Sequence, residues 1–511
     1  MMFKNSLDSI FLLYKKGQFI TINMDEVAFY CSKGSDADKK HLSTFGYLSS
    51  THSPKQYLQY RQCYCDRNGA VLTGVGQETK LITACYKKAL IQVYLYGKEA
   101  PEQRIPIPEP LTCIQIIDHP TIASSSRNSS ENWLLVGGSS TGRLYVWELS
   151  SGLLLAVKEC HYQSMTVIKQ CNNYIVTGGA DSRVTVWKIT DLISDHIVRS
   201  QPYAVFSNHT LPVTDIVVSA GLDDDAIIYS SSEDSTIRCY SLVSKQLLTT
   251  FVLPQKVTSL ASDPSFRALY AGLQNGTIRV INLYKADPSS HVLEAVGGLG
   301  KVITLKPDLN NDESIACIQS ESADKDKSKE ENAITKTIVN IDGTTIICGD
   351  MSGYVFIVDI RTKQIQRKLK TLSGPVSQIL LFNAMCDDKK LTRDVKDKRI
   401  IRNIPILKRV VVDSEIIGKH EITKRLGHLE STAERFDVDE FINTVQSQQK
   451  CFQNTGKSEI ISISGSNAST ATKLGETAEL KKQLEQMGAS FSTLKSKYEE
   501  LYKEYATIAN K

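Results

Sequence analysis

Two histidines, each followed by a carboxylate, are the residues most suggestive of chemistry. His161 lies 20 residues before Asp181, and His209 lies 25 before Asp234. With Thr177 or Ser230 as the hydroxyl, each set has the composition of a hydroxyl–imidazole–carboxylate relay, in which the imidazole takes a proton from an attacking oxygen. Gly297-Gly-Leu-Gly300-Lys301 has the glycines and lysine of a phosphate-cradling loop, and Cys63-Tyr-Cys65 brings two thiols close enough to share a metal. The loop fails because Ala295 stands at its first glycine position and Val302 at its Ser/Thr position. Gly74-Val-Gly76 lacks a third glycine, and no second cysteine pair completes a zinc site. No nucleophile elbow, paired carboxylates or ligand cluster stands out, so neither an enzyme nor a cofactor or metal is expected.

The relay residues take another meaning from the elements that carry them. Six windows fit the template Ser-Gly-Ser-x-Asp-x-Thr-Ile-Lys-Leu-Trp: Thr177 to Trp187 and Ser230 to Tyr240 most closely, then Gly137–Trp147, Ala271–Ile281, Cys348–Val358 and Ala84–Tyr94. Their last residues are spaced by 53, 40, 53, 41 and 77, two of which match the period of about 40–45 of WD repeats. Each window reads as a hairpin of two alternating strands around a small-residue turn, and a further apolar strand precedes it, such as Leu111–Ile117, Val257–Leu260 or Val376–Leu381. That is a four-stranded blade repeated radially.

The expected fold is all-β: a WD-repeat β-propeller of seven blades over residues 24–413, followed by an α-helical coiled-coil extension. The ring is expected to close by pairing Val27–Cys31 with strands between Val376 and Val412. In such blades the Asp holds the His, the His meets a strand hydroxyl, and the hydroxyl reaches the Trp. His161, Thr177, Asp181 and Trp187, and His209, Ser230, Asp234 and Tyr240, are therefore read as buried structural networks. Lys88, Thr141, Asn275 and Ser352 stand at the Asp position of other repeats, where the network is in doubt.

The 511 residues are 41% hydrophobic and 23% charged, with 60 basic against 56 acidic side chains. This composition suits a large core and excludes a single-sign field that would capture nucleic acid or membrane wholesale. No run of about 18 apolar residues suggests a membrane span. The 12 scattered cysteines read as reduced thiols rather than a disulfide framework.

Local charge is uneven. Residues 306–336 form an acidic insertion that fits no blade, and between Cys386 and Arg425 there are 12 Lys or Arg against 7 Asp or Glu. That basic stretch could touch RNA or serve nuclear import; a solvated loop is the plainer reading. Residues 414–452 hold a helix around Phe436, Phe441 and Val445, and 453–475 read as a flexible linker. Within 476–511, Leu480, Leu484, Met487, Phe491, Leu494, Tyr498, Leu501, Tyr505 and Ile508 alternate at steps of four and three, a coiled-coil seam that allows a homodimer or a heterodimer.

Beyond generic repeats, the chain resembles the fungal WD-repeat pre-rRNA-processing subunit of the rixosome, a relative of the animal WD-repeat protein eighteen. The resemblance rests on Gln103–Glu109, Gly142–Gly152, His161–Ser164, Asp181–Arg183, His209–Asp215 and Tyr498–Tyr502. Residues 1–23 stand outside it as an unmatched leader. It implies a nuclear (nucleolar and nucleoplasmic), non-catalytic scaffold for the pre-60S particle, supporting removal of the second internal transcribed spacer. It further implies a helical-repeat scaffold and a smaller subunit as partners, a midasin-type AAA+ ATPase, and a chromatin association in replication licensing. The alternative is an adaptor or substrate receptor in another complex, such as a ubiquitin ligase.

Overall fold

Residues with positive φ mark the turns of six of the hairpins. Between the second and third strands of successive sheets stand Lys87, Gly142, Ser182, Ser235, Gly276 and Gly353, all with φ between 56° and 90°. A residue in this region closes a short hairpin loop and sets strand register. The structure, a computed structural model, describes residues 10–15, 18–34, 44–73, 79–118, 133–193, 201–219, 225–286, 293–306, 314–317, 333–385, 403–411 and 497. The chain divides into a unit of residues 1–424 and a unit of residues 425–511. In the second, only Lys497 is among the described residues; it is helical and exposed.

The first unit is a seven-bladed propeller. Blade 1 runs Ala70–Thr73, Lys80–Ala84, Leu90–Leu95 and Gln103–Pro106 from the axis outward. Blade 2 runs Leu111–Asp118, Trp133–Ser139, Arg143–Glu148 and Leu154–Glu159. Blades 3 and 4 begin with inner strands Met165–Cys171 and Val213–Val218. Blades 5 and 6 begin with Val257–Ser262 and Ile334–Val339. In blade 7 the inner strand Val376–Met385 comes from the far side of the repeats and pairs with Gln18–Ser32, which continues to Phe45–Ser50 and Gln56–Arg61. Val27 lies opposite Phe382 and Cys31 opposite Gln378, so the ring is closed by strands from its two ends.

Seven apolar clusters occupy the seven seams between neighbouring blades. Because a blade is covered on both faces, a strand inside it can be buried at every residue, as the second strand of blade 3, Tyr174–Gly179, is. Such strands read as continuous apolar runs with small residues where backbones approach.

Two expectations need correction. Among the described residues closure uses Val376–Met385 alone, since one inner strand fills the position, and 403–411 lies elsewhere. Within the acidic stretch 306–336, Ser314–Cys317 is the outer strand of blade 5 and Ile334–Lys336 starts blade 6. The spacing of 77 also contains a Tyr284–Ala286/Leu293–Ala295 hairpin and Lys301–Thr304, which joins Leu247–Val252 of blade 4 in parallel. The glycines that imitated a phosphate loop make that approach: Gly298 N–H donates to Thr249 Oγ1 at 3.2 Å. Within the leader, Ile10–Lys15 pairs with Gln18–Asn23 as a hairpin.

Candidate interaction site

Antiparallel order puts alternate connections on opposite faces of the ring. One face carries every loop between blades and every turn between second and third strands. His161 and His209 arrive there from inter-blade loops, and Asp181 and Asp234 from turns.

In blade 3, His161 Nδ1 lies 2.9 Å from Asp181 Oδ1 and Nε2 lies 2.9 Å from Thr177 Oγ1. Thr177 meets Thr185 Oγ1 at 2.6 Å, and Trp187 Nε1 donates to Thr185 at 3.2 Å. Donation from Trp187 through the two hydroxyls to His161 Nε2, with Nδ1–H given to Asp181, satisfies every partner. Thr185 is the link that the sequence reading omitted; its position as a strand Thr two residues before the Trp was the available signal. Burial works against the Asp181 carboxylate, but His161 and the N–H groups of Tyr162 and Arg183 outweigh it and hold its pKa below the ordinary value. Thr177 and the His161 side chain are both 0% exposed, so this relay cannot reach a substrate. Gly179 leaves room for it: a Cβ there would collide with Asp181 Oδ1 and His161 Nδ1.

Blade 4 repeats the first half. His209 lies 2.9 Å from Asp234 Oδ2 and 2.7 Å from Ser230 Oγ, and Thr236 donates to Asp234 at 2.6 Å. Tyr240 stacks on Phe206 at 4.2 Å, and its buried hydroxyl faces Ser230 without a hydrogen bond of regular geometry, a looser last link than that of Trp187. Where the repeat lacks Asp, other chemistry joins loop to turn. Glu109 accepts from Thr141 at 2.6 Å and pairs with Arg143 at 2.8 Å, while Lys88 donates to the Tyr64 hydroxyl at 3.3 Å.

Polar side chains from several blades also meet near the axis. Lys336 of blade 6 donates to Asp215 of blade 4 at 2.9 Å and to Asn68, just before blade 1, at 2.7 Å. Asn68 donates to the Thr166 carbonyl of blade 3 at 3.1 Å, and Arg67 to that of Thr335 at 2.7 Å. Burial drives the Lys336 pKa down to about 8 against the opposing pull of Asp215. No histidine or hydroxyl marks this cluster as a repeat feature, so no repeat pattern points to it.

The outer rim carries a further fixed element. Residues 403–411 form a strap across blades 1 and 2. The Gln103 side chain pairs with Ile404 in both directions, its Nε2 donating to the carbonyl at 2.9 Å and its Oε1 accepting from the N–H at 3.0 Å. Ile404 and Leu407 sink into the seam, Trp147 Nε1 donates to the Lys408 carbonyl at 2.9 Å, and Val411 bridges Leu154. At Gly152, φ is +74° and a Cβ would come within 2.6 Å of the Ile406 carbonyl. Ile406, Lys408, Arg409, Val410 and Val411 face outward. The strap thus offers an apolar and basic edge, and this part of the stretch 386–425 is held on the propeller. The rest of that stretch and the seam residues Leu480, Leu484, Met487, Phe491, Leu494, Tyr498, Leu501, Tyr505 and Ile508 lie outside the described residues.

Among the described residues, no group of three or more His, Cys, Asp or Glu could hold a metal ion. What the arrangement provides is a rigid ring with surfaces for binding.

Comparison with known proteins agrees with this architecture. The family model described as WD domain, G-beta repeat matches residues 200–241, the repeat containing His209, Asp234 and Tyr240. Pre-rRNA-processing protein IPI3 of Candida albicans is 38% identical, the match covering 96% of this chain and all of that protein. The protein of the same name from Scheffersomyces stipitis is 37% identical over 95% of this chain and 99% of its own length. That of Saccharomyces cerevisiae is 30% identical over 92% and 98%. With similarity running the length of both partners and a propeller to carry it, the chain belongs to the Pre-rRNA-processing protein IPI3 family.

Proposed function

We propose that this chain acts in pre-rRNA processing as a non-catalytic scaffold subunit of a nuclear, pre-60S ribosome assembly complex. The observation that carries the reading is the full-length similarity to proteins named for pre-rRNA processing. The buried His161 and His209 networks support the non-catalytic part, because the residues most like a relay are spent on holding blades together.

The complex is the rixosome, in which this chain joins a helical-repeat scaffold and a smaller subunit and cooperates with a midasin-type AAA+ ATPase. Its work is removal of the second internal transcribed spacer, with a chromatin-associated role in replication licensing beside it. The site of action is the nucleolus and nucleoplasm. The heptad seam from Leu480 to Ile508 pairs two copies, which makes binding bivalent and raises avidity without new contacts. Affinity purification of the tagged chain from nuclear extract tests this: pre-60S factors and a helical-repeat partner are expected, and recovery of ubiquitin-ligase subunits in their place would overturn it.

A further inference from the structure

The near-neutral charge of the chain is not evenly spread over the face that carries the turns. Around blades 2 to 4 the described carboxylates Glu109, Asp181, Glu233 and Asp234 accompany Arg143, Arg183 and Lys256. At the seam between blades 7 and 1, Lys33, Lys87, Lys88 and Arg104 gather with Arg61 and Lys98, six cations against the described carboxylates Asp66, Glu99 and Glu102.

Tyrosine rings hold these lysines in place. Lys33 and Lys87 both lie over the ring of Tyr86, at 4.3 and 5.0 Å from its centre. Lys88 lies 5.5 Å from the centre of the Tyr64 ring and donates to its hydroxyl. Tyr64 is bridged to Ser32, the residue before Lys33, so the two tyrosines belong to one patch. Arg104 is fixed by Gln62 Oε1 at 2.7 Å, and its charge acts on Tyr64. Lys87, Lys88 and Arg104 are exposed. A cation over an aromatic face is attracted by the ring, which restricts a flexible lysine before any ligand arrives. An anion binding there then meets ordered ammonium groups and pays less to immobilise them.

We propose that this seam is a docking surface for the phosphodiester backbone of RNA. Lysine ammoniums bind phosphates as point charges, and spaced along a seam they suit the successive phosphates of one strand. None of the exposed large apolar side chains among the described residues belongs to the patch; Tyr162, Leu211, Leu299 and Val410 lie elsewhere. A protein partner would ordinarily need such anchors. The choice of RNA over DNA rests on the reading of the chain as a pre-rRNA-processing factor; the phosphate chemistry does not.

The test is fluorescence anisotropy of labelled oligouridine with the purified full-length chain across a salt series. Wild type should bind, and K87Q/K88Q/R104Q should lose at least tenfold in affinity. The slope of log K against log salt should fall in magnitude by about 2, as expected for three lost phosphate contacts on a single strand. K87R/K88R/R104K should keep most of the binding, which separates charge from folding. Lys245→Gln, at a lysine 3.7 Å over Tyr203 in another blade, should change nothing. Absence of RNA binding, unchanged binding by the triple Gln variant, preference for oligothymidine, or displacement by equimolar polyglutamate would each overturn the proposal. A processing defect on depletion would survive any of these results, so the two readings fail separately.

Discussion

Trp147 and Lys408, 261 residues apart in the chain, are joined by a hydrogen bond of 2.9 Å from the indole Nε1 to the peptide carbonyl. Trp147 is 0% exposed and sits at the repeat position that in blade 3 spends its N–H on a strand hydroxyl. In blade 2 the N–H is spent on the strap, so the end of the repeat doubles as the anchor for the chain that leaves the ring.

Trp147→Phe should therefore release the strap while keeping most of the seam packing. The expected loss is about 0.5–1.5 kcal/mol for the hydrogen bond. Limited trypsin digestion reads it most simply: cleavage after Lys408 or Arg409 should accelerate in the variant. Cleavage at the wild-type rate would show that Ile404 and Leu407 hold the strap without it.

The His–Asp pairs carry a pH dependence with a defined sign. Both Asp181 and Asp234 have folded pKa values below their ordinary ones, because hydrogen bonds from their histidines and from backbone N–H groups outweigh burial. A depressed carboxylate stabilises the fold above its unfolded pKa, and this contribution is lost as pH falls through the folded value. Asp181→Asn should cost about 1–3 kcal/mol near neutral pH. In acid the gap to wild type should shrink, as followed by thermal unfolding between neutrality and pH 3; a gap that widens in acid would reverse the sign.

Lys336 and Asp215 tie blade 6 to blade 4 and are both buried. Removing one partner leaves the other charge stranded, at a cost of about 3–5 kcal/mol. Lys336→Met and Asp215→Leu should each destabilise by that order, and the double variant by much less than their sum. Additive losses in denaturant unfolding would show that the two do not act as a pair.

For the C-terminal segment the prediction rests on sequence period alone. Leu494→Asp with Leu501→Asp should convert a dimer to a monomer in light scattering, with the propeller's thermal transition unchanged. An unaltered mass would remove the seam from the account.

The propeller was legible in the sequence because the repeat writes itself in residues with fixed partners. His161 and Asp181 stand at blade positions, and Val27–Cys31 could be matched to the region Val376–Val412 because a ring needs a last strand, of which Val376–Met385 is the part that pairs. Features that occur once had no such signature. Glu109 with Thr141 reverses the roles of loop and turn, so a search for His and Asp passes over it. Ser314–Cys317 is an outer strand of four residues set among acidic ones, too short a run for alternation to mark it as a strand. The strap and the Lys336 cluster depend on contacts between residues hundreds apart, which no local pattern encodes.

The central claim, that the chain serves pre-rRNA processing as a scaffold, is tested most directly by depleting it and probing rRNA precursors with oligonucleotides against the second internal transcribed spacer. The account predicts accumulation of spacer-retaining precursors, restored by wild type and also by a variant with Thr177→Val, which removes the hydroxyl of the relay and keeps a branched side chain. Normal precursor levels on depletion would contradict the claim, and a stably folded Thr177→Val chain that fails to rescue would contradict its non-catalytic part.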